Sequence, residues 1–232
     1  MSEKEVKENI GTIAHSGTKK FLDKLKKSEE SHLIGQFGIG FYSSFIVADR
    51  VQIDTKTAKG KAVKWSSEGK GEYEIDTGSR KTRGTSITLF LKADEKEFAG
   101  EWRLQSLIKK HSNYVPVAIE LLETDDKGKR KDGWKQVNET KAIWSRSKSE
   151  VKDEEYDEFY KSLSFDMEKP LTKLHLNIEG AISFKALLFL PKAKPFQIAR
   201  PDEDYGPKLY SQKVLILENS KELLPVWLRF IK

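Results

Sequence analysis

The stretch "SHLIGQFGIGFYSSFIVADRV", residues 31–51, decides how the chain is read. Gly35, Gly38 and Gly40 interrupt a run otherwise apolar enough to be core. A glycine inside an element costs about 1 kcal/mol relative to alanine, so this cluster implies a job for the backbone. The spacing is G-x-x-G-x-G, and "FYSSFIVA" continues from it as a predicted helix. A glycine loop feeding a helix N-terminus exposes backbone N–H groups, has no Cβ atoms in the way and favours negative charge. Phosphate is the ligand for such a loop. A turn needing positive φ or tight packing is the alternative, and spacing alone leaves both open.

Two familiar phosphate motifs do not fit. The dinucleotide fingerprint G-x-G-x-x-G follows a strand, whereas here the order is reversed and no strand precedes it. "GTIAHSGTK" approximates a P-loop, but the gap from Gly11 to Gly17 is one residue too long and Thr18 precedes Lys19.

Working outward, the N-terminal residues read as a helix. Ser2 and Glu5 have capping-box spacing, and Val6, Ile10 and Ile13 follow at helical period. "HSGTKKFLDKL" breaks at Gly17 and resumes as a second short helix. Downstream the period falls to two: "VQIDTKT", "AVKWSSE", "YEIDT" and "TSITLFLK" read as successive antiparallel strands. Trp102 to His111 returns to helical spacing, with Lys109, Lys110 and His111 suited to the negative C-terminal end. "VPVAIELLE" reads as a strand. A polar stretch, 123–141, divides a first domain (1–122) from a second (142–232). In the second, "KSEVKDEEYDEFYKSLS" reads as a helix, and "LTKLHLNIEG" with "AISFKALLFLP" as a hairpin. "LYSQKVLILE" reads as one further strand and "SKELLPVWLRFIK" as an amphipathic helix. The fold class expected is α+β in both segments.

Composition excludes several functions. At 37% hydrophobic, the 232-residue chain can bury a core, and no run approaches the ~18 apolar residues of a membrane span. No signal segment is evident, and the absence of cysteine rules out disulfides and thiolate metal sites; a cytoplasmic location is expected. The 42 Lys+Arg are interleaved with 36 Asp+Glu, so the net charge of +6 is diffuse rather than a nucleic-acid stripe. "DDKGKRKDGWK" reads as a solvated turn. His15, His32, His111 and His175 show no metal-ligand spacing. Phe196, apolar in a polar loop, is a partner contact or a packed anchor.

Six strings, "ENIGTIAHSGTKKF", "IGQFGIGFYSSFIVAD", "RGTSITLFLK", "IKKHSNYV", "IWSRSKSEVKDEEYDEFYKSLS" and "ALLFLPKAKPF", closely resemble the ninety-kilodalton heat-shock chaperone family, bacterial type. They occur in that family's order across essentially the whole chain. The resemblance implies a partial histidine-kinase-like (Bergerat-type) α/β sandwich followed by the start of an α/β middle domain. It implies ATP as cofactor, with Mg2+ in the intact family protein, and a glycine loop that covers the phosphates and hinges a lid. Position by position, Asn9 matches the asparagine near sugar and phosphates. Gly35, Gln36, Gly38, Ile39, Gly40 and Phe41 match the phosphate loop, and Thr85 the threonine near adenine. His15 stands where the family commonly has a phosphate-contacting lysine; its charge would depend on pH.

Met1 aligns with the methionine ending the family's D-x-G-x-G-M adenine motif. The adenine-binding aspartate, the catalytic glutamate, the middle-domain arginine and the dimerisation domain are therefore expected to fall outside this sequence. The function implied is ATP-dependent chaperoning of unfolded or partly folded clients by a homodimer in the intact protein, with hydrolysis by this chain alone not expected. The alternative is a non-enzymatic remnant that binds clients or partners. No nucleic-acid or membrane partner is expected.

Overall fold

The computed structural model describes residues 1–12, 35, 38–124, 130–193 and 204–232. The architecture is mixed α and β with antiparallel sheets, in two compact units, Met1–Leu104 and Gln105–Lys232. Among the described residues no helix is long and apolar enough to cross a membrane.

The first unit is a sheet covered on one face. Helix α1 (Glu3–Asn9) begins at the expected capping box: Ser2 Oγ accepts from Glu5 N–H, and the Glu5 carboxylate reaches back to Ser2 N–H. The glycine stretch enters a 3-10 turn (Gly40–Ser43) that runs on into the short helix α2 (Ser44–Val47). Strands β1 (Ala48–Lys56), β2 (Ala62–Ser67), β3 (Glu74–Thr77) and β4 (Gly84–Leu91) form an antiparallel sheet in the order β3-β2-β1-β4. Alternation along β1 sends Val51, Ile53 and Thr55 to one face, where all three are fully buried. Val63 and Trp65 lie beside them on β2, and Val6 of α1 closes over the cluster, with Phe41 and Phe45 packed at its margin. Burying each such side chain contributes about 1.5–3 kcal/mol, so β1 and β2 anchor this unit.

The second unit contains the end of α3 (Glu101–His111) and three hairpins. Strand β5 (Glu120–Thr124) pairs with β6 (Arg130–Gln136). Part of the expected linker is thus strand, in a segment rich in lysine: Trp134 stands opposite Leu122. Helix α4 (Asp153–Ser164) lies against β7 (Thr172–Ile178) and β8 (Phe184–Leu190), with Tyr156, Tyr160, Phe189, Ile143 and Val151 as the core. The predicted hairpin at 171–191 is present in register from Thr172↔Leu190 to Ile178↔Phe184.

Three expectations change here. The "KSEV" residues form a separate 3-10 turn (Lys148–Glu150), and α4 starts only at Asp153. The single strand expected at 209–218 is a hairpin, β9 (Leu209–Ser211) and β10 (Val214–Leu217). Its turn residues Gln212 and Lys213 have φ of 48° and 68°. This is a conformation for which Asn-Gly is the usual sequence signal, and the signal is missing. The helix expected over 220–232 is reduced to a 3-10 turn at Val226–Leu228, because Pro225 supplies no N–H and interrupts the helical ladder.

Candidate functional site

The expected site residues fall around α1, the glycine stretch and β4. Gly38 has φ 67°, the left-handed region that alanine occupies only with strain. A Cβ built on Gly35 or Gly40 meets nothing within 4 Å, so backbone at both positions is open to approach. Gly40 starts the 3-10 turn, and Ser43 Oγ donates back to its carbonyl. Ile39, between the two glycines, is exposed. Phe41 instead turns inward, its ring 5.6 Å edge-on from Trp65; its side chain anchors the loop to the core. The Tyr42 hydroxyl donates to the Ile10 carbonyl, tying the glycine segment to the end of α1. Burial pushes the Tyr42 phenol above its ordinary range, which keeps it a donor.

Asn9 lies in the last turn of α1, and its Nδ2 donates to Glu5 O at 3.0 Å. Met1 packs against the sheet core, and its nitrogen lies 2.6 Å from Thr55 Oγ1. Thr55 Oγ1 is in turn 2.8 Å from Thr85 Oγ1. Met1 and Thr85 are therefore brought together through Thr55. Among the described residues no hydrogen bond joins Gly38–Phe41 to Thr85. His15 and Gln36 lie outside the described residues, as does Phe196.

A model of the Hsp90 protein family matches residues 122–232. The whole chain aligns with proteins named Chaperone protein HtpG. It is 47% identical over 237 residues to that of Vesicomyosocius okutanii and 48% over 236 to that of Wolinella succinogenes. It is 47% identical over 252 residues to that of Geobacter metallireducens. Each alignment covers 100% of this chain. The chain is similar to the Hsp90 family. It spans 38–39% of the length of those relatives.

Two residues of this chain escaped the sequence reading. Thr55 is one, a fully buried hydroxyl directly opposite Thr85 in the β1–β4 ladder. Ile87 is the other: two residues on from Thr85, it shares that face and is 54% exposed, although its neighbour Ile53 is fully buried. Strand period and the pairing of "VQIDTK" with "TSITLF" were the available signal, but register is a tertiary fact. Alternation also excludes a tempting base. Asp54, beside Thr55 in sequence, projects to the opposite face and accepts from Ser79 N–H, Ser79 Oγ and Arg80 N–H. Burial opposes its ionisation, but these bonds prevail and hold the carboxyl below its usual range.

Backbone at Gly40 is open to approach, and Thr85 stands on the exposed strand β4. Among the described residues no group of three or more His, Asp or Glu stands together as a metal site, so no step is assigned to Mg2+. A cavity of about 640 Å³ opens at the other end of β1, lined in part by Phe45, Arg50, Glu68, Lys70 and Phe90. None of the expected site residues lines it.

Proposed function

We propose that this chain is the nucleotide-gripping and client-facing part of an ATP-dependent protein-folding chaperone. Residues 1–122 correspond to part of a Bergerat-type ATP domain and residues 142–232 to the start of a middle domain, in a cytoplasmic, dimeric whole protein. The observation that carries the reading is full-length similarity, at 46–48% identity, to proteins named as chaperones. In this reading Gly38–Phe41 present backbone amides to phosphate, with Asn9, His15 and Gln36 around them, and Thr85 faces the adenine. The adenine nucleotide, when bound, supplies a triphosphate whose hydrolysis drives the chaperone cycle. This chain's own residues bind and orient it; general-base activation of water needs a positioned carboxylate, and Asp54 is turned away.

Calorimetric titration of ATP and of inorganic tripolyphosphate into the chain tests the reading. Saturable binding of both, abolished by Gly40→Asp, is the expected result. Identical titrations for the parent and Gly40→Asp would refute it.

The second reading, a binding module that holds unfolded protein without turnover, is favoured by one segment. Directly after α4, Phe165, Met167 and Leu171 are 89%, 87% and 63% exposed. Suppression of aggregation of an unfolded test protein, equal with and without ATP, would select this reading over the first.

A further inference from the structure

We infer that the cavity at the start of β1 binds a carboxylate joined to an apolar group, the chemistry of a small aromatic acid or of a peptide ending in an apolar residue. The inference is independent of the nucleotide reading, because none of the residues expected to hold nucleotide lines this cavity.

The cavity is built by local features of the first unit. The β1–β4 ladder shifts between Ala48↔Leu91 and Arg50↔Phe90, so Asp49 is an extra residue in β1. A bulge of this kind bends its strand and re-aims the side chains beside it. The turn between β2 and β3 forms a second wall. Gly69 has φ 76°, and a Cβ there would lie 2.9 Å from Phe45 Cδ1, so glycine alone lets this backbone approach the ring so closely. Ser67 Oγ fixes the turn, accepting from Gly69 N–H at 3.0 Å and donating to Glu72 O at 2.5 Å. The end of β4 is tied to α2 by Lys92 Nζ, which donates to Ile46 O at 2.8 Å. The space left between these walls, about 640 Å³, is that of a small-molecule site.

The cations on the walls are unequally engaged. Lys70 Nζ pairs with the Glu68 carboxylate at 2.8 Å, and Lys92 is held by the Ile46 carbonyl. The Arg50 guanidinium lies 3.9 Å over the Phe90 ring and makes no hydrogen bond or ion pair among the described residues. Contact with a ring face satisfies the charge in part but uses none of the N–H donors in a hydrogen bond. A planar fork with its donors unspent matches a carboxylate in bidentate geometry. Phe45 and Phe90 add apolar surface, which a bare ion does not need and an apolar group beside the carboxylate does. Asp49 and Glu68 also line the cavity and repel a second negative charge, so a monoanion is selected over a phosphate dianion.

N-acetylphenylalanine, its neutral amide, phenyl phosphate and a glycine-rich peptide ending in a free phenylalanine carboxylate are titrated into the isotope-labelled full chain and followed by NMR. The two carboxylates should shift the amides of Arg50, Gly69 and Lys92. The neutral amide should bind the parent at least about tenfold more weakly, the worth of hydrogen bonds to a charged group. Arg50→Gln should lose the same factor, and Arg50→Lys should fall between, because a point charge replaces a fork. Arg50 is exposed, and the acid–amide comparison on the parent stands whether or not the variants fold. The tighter of the two carboxylates identifies the source, peptide or small acid. Equal affinity for the acid and its amide, undiminished affinity in Arg50→Gln, tighter binding of phenyl phosphate, or no binding of either carboxylate overturns the inference.

Discussion

At the scale of the residue, Gly38 and Gly40 have different reasons for being glycine. Gly38 needs its positive φ, whereas Gly40 has ordinary backbone and open space where a Cβ would stand. Gly38→Ala should therefore destabilise the first unit by about 1–2 kcal/mol. Gly40→Ala should leave the urea midpoint unchanged yet weaken tripolyphosphate binding, because its methyl occupies the approach to the amides. A stability loss at Gly40 as large as that at Gly38 would refute this division. A second residue-scale case is buried in the other unit. His175 Nε2 lies 3.3 Å from Trp144 O and its Nδ1 2.6 Å from the Tyr156 hydroxyl. A carbonyl only accepts, so Nε2 carries the proton and Nδ1 accepts from Tyr156. Tyr156→Phe should cost about 1–3 kcal/mol, the penalty for leaving a buried acceptor without its donor. Urea unfolding measures it, and a change below about 0.5 kcal/mol would show that water replaces the phenol.

At the scale of the element, α4 shows both how a helix is begun and what ends it. Glu155 reaches back to Lys152 N–H and pairs with Arg146 Nη1 at 2.5 Å. The Arg146 hydrogen bond, then that of Lys152 N–H, hold the Glu155 carboxyl below its ordinary value of 4.5. A depressed carboxylate contributes stability above its unfolded pKa and loses it as pH falls through the folded one. The contribution should thus be complete above about pH 4.5 and vanish in more acidic solution. Acid titration of Arg146→Ala should show a shallower loss of stability over that range, and an unchanged acid profile would contradict the assignment. At the other end, Phe165 closes α4 in the left-handed conformation, φ 57°, with its side chain 89% exposed. Glycine is the residue suited to that cap. Phe165→Gly should therefore stabilise the unit by about 1 kcal/mol while reducing capture of unfolded protein, if the exposed segment is a client contact. Stabilisation without any loss of capture would place client binding elsewhere.

At the scale of the molecule, each unit has its own core. Val6, Val51, Ile53, Val63 and Trp65 form one; Ile143, Val151, Tyr156, Tyr160 and Phe189 form the other. Ile53→Ala should cost about 2–5 kcal/mol and Phe189→Ala about 3–5 kcal/mol. Hydrogen exchange should register the first as lost amide protection in β1–β4 and the second in β7 and β8. Loss of protection throughout both units from either substitution would show a single cooperative core instead.

What the sequence determined by itself was local. Period two marked β1 to β4, the Ser2–Glu5 box marked α1, and the adjoining strings "LTKLHLNIEG" and "AISFKALLFLP" marked the β7–β8 hairpin. Each follows from contacts within a few residues. The family strings carried identity in the same way, because they are read residue by residue. Where local signals conflicted or were absent, only tertiary structure decided. Pro225 stopped a helix that apolar spacing favoured, and Gln212-Lys213 turned a strand without glycine. Cross-strand pairing with β5 made a strand of Arg130–Gln136, inside a charged segment that read as linker. The site divides along the same line. Gly38 and Gly40 were legible because glycine is conspicuous in a sequence and its backbone role is local. Thr55 was not, because nothing in "VQIDTK" distinguishes a threonine that will lie opposite Thr85. Their meeting depends on the register of β1 against β4 and on the burial of one hydroxyl beneath another, neither of which short-range sequence encodes.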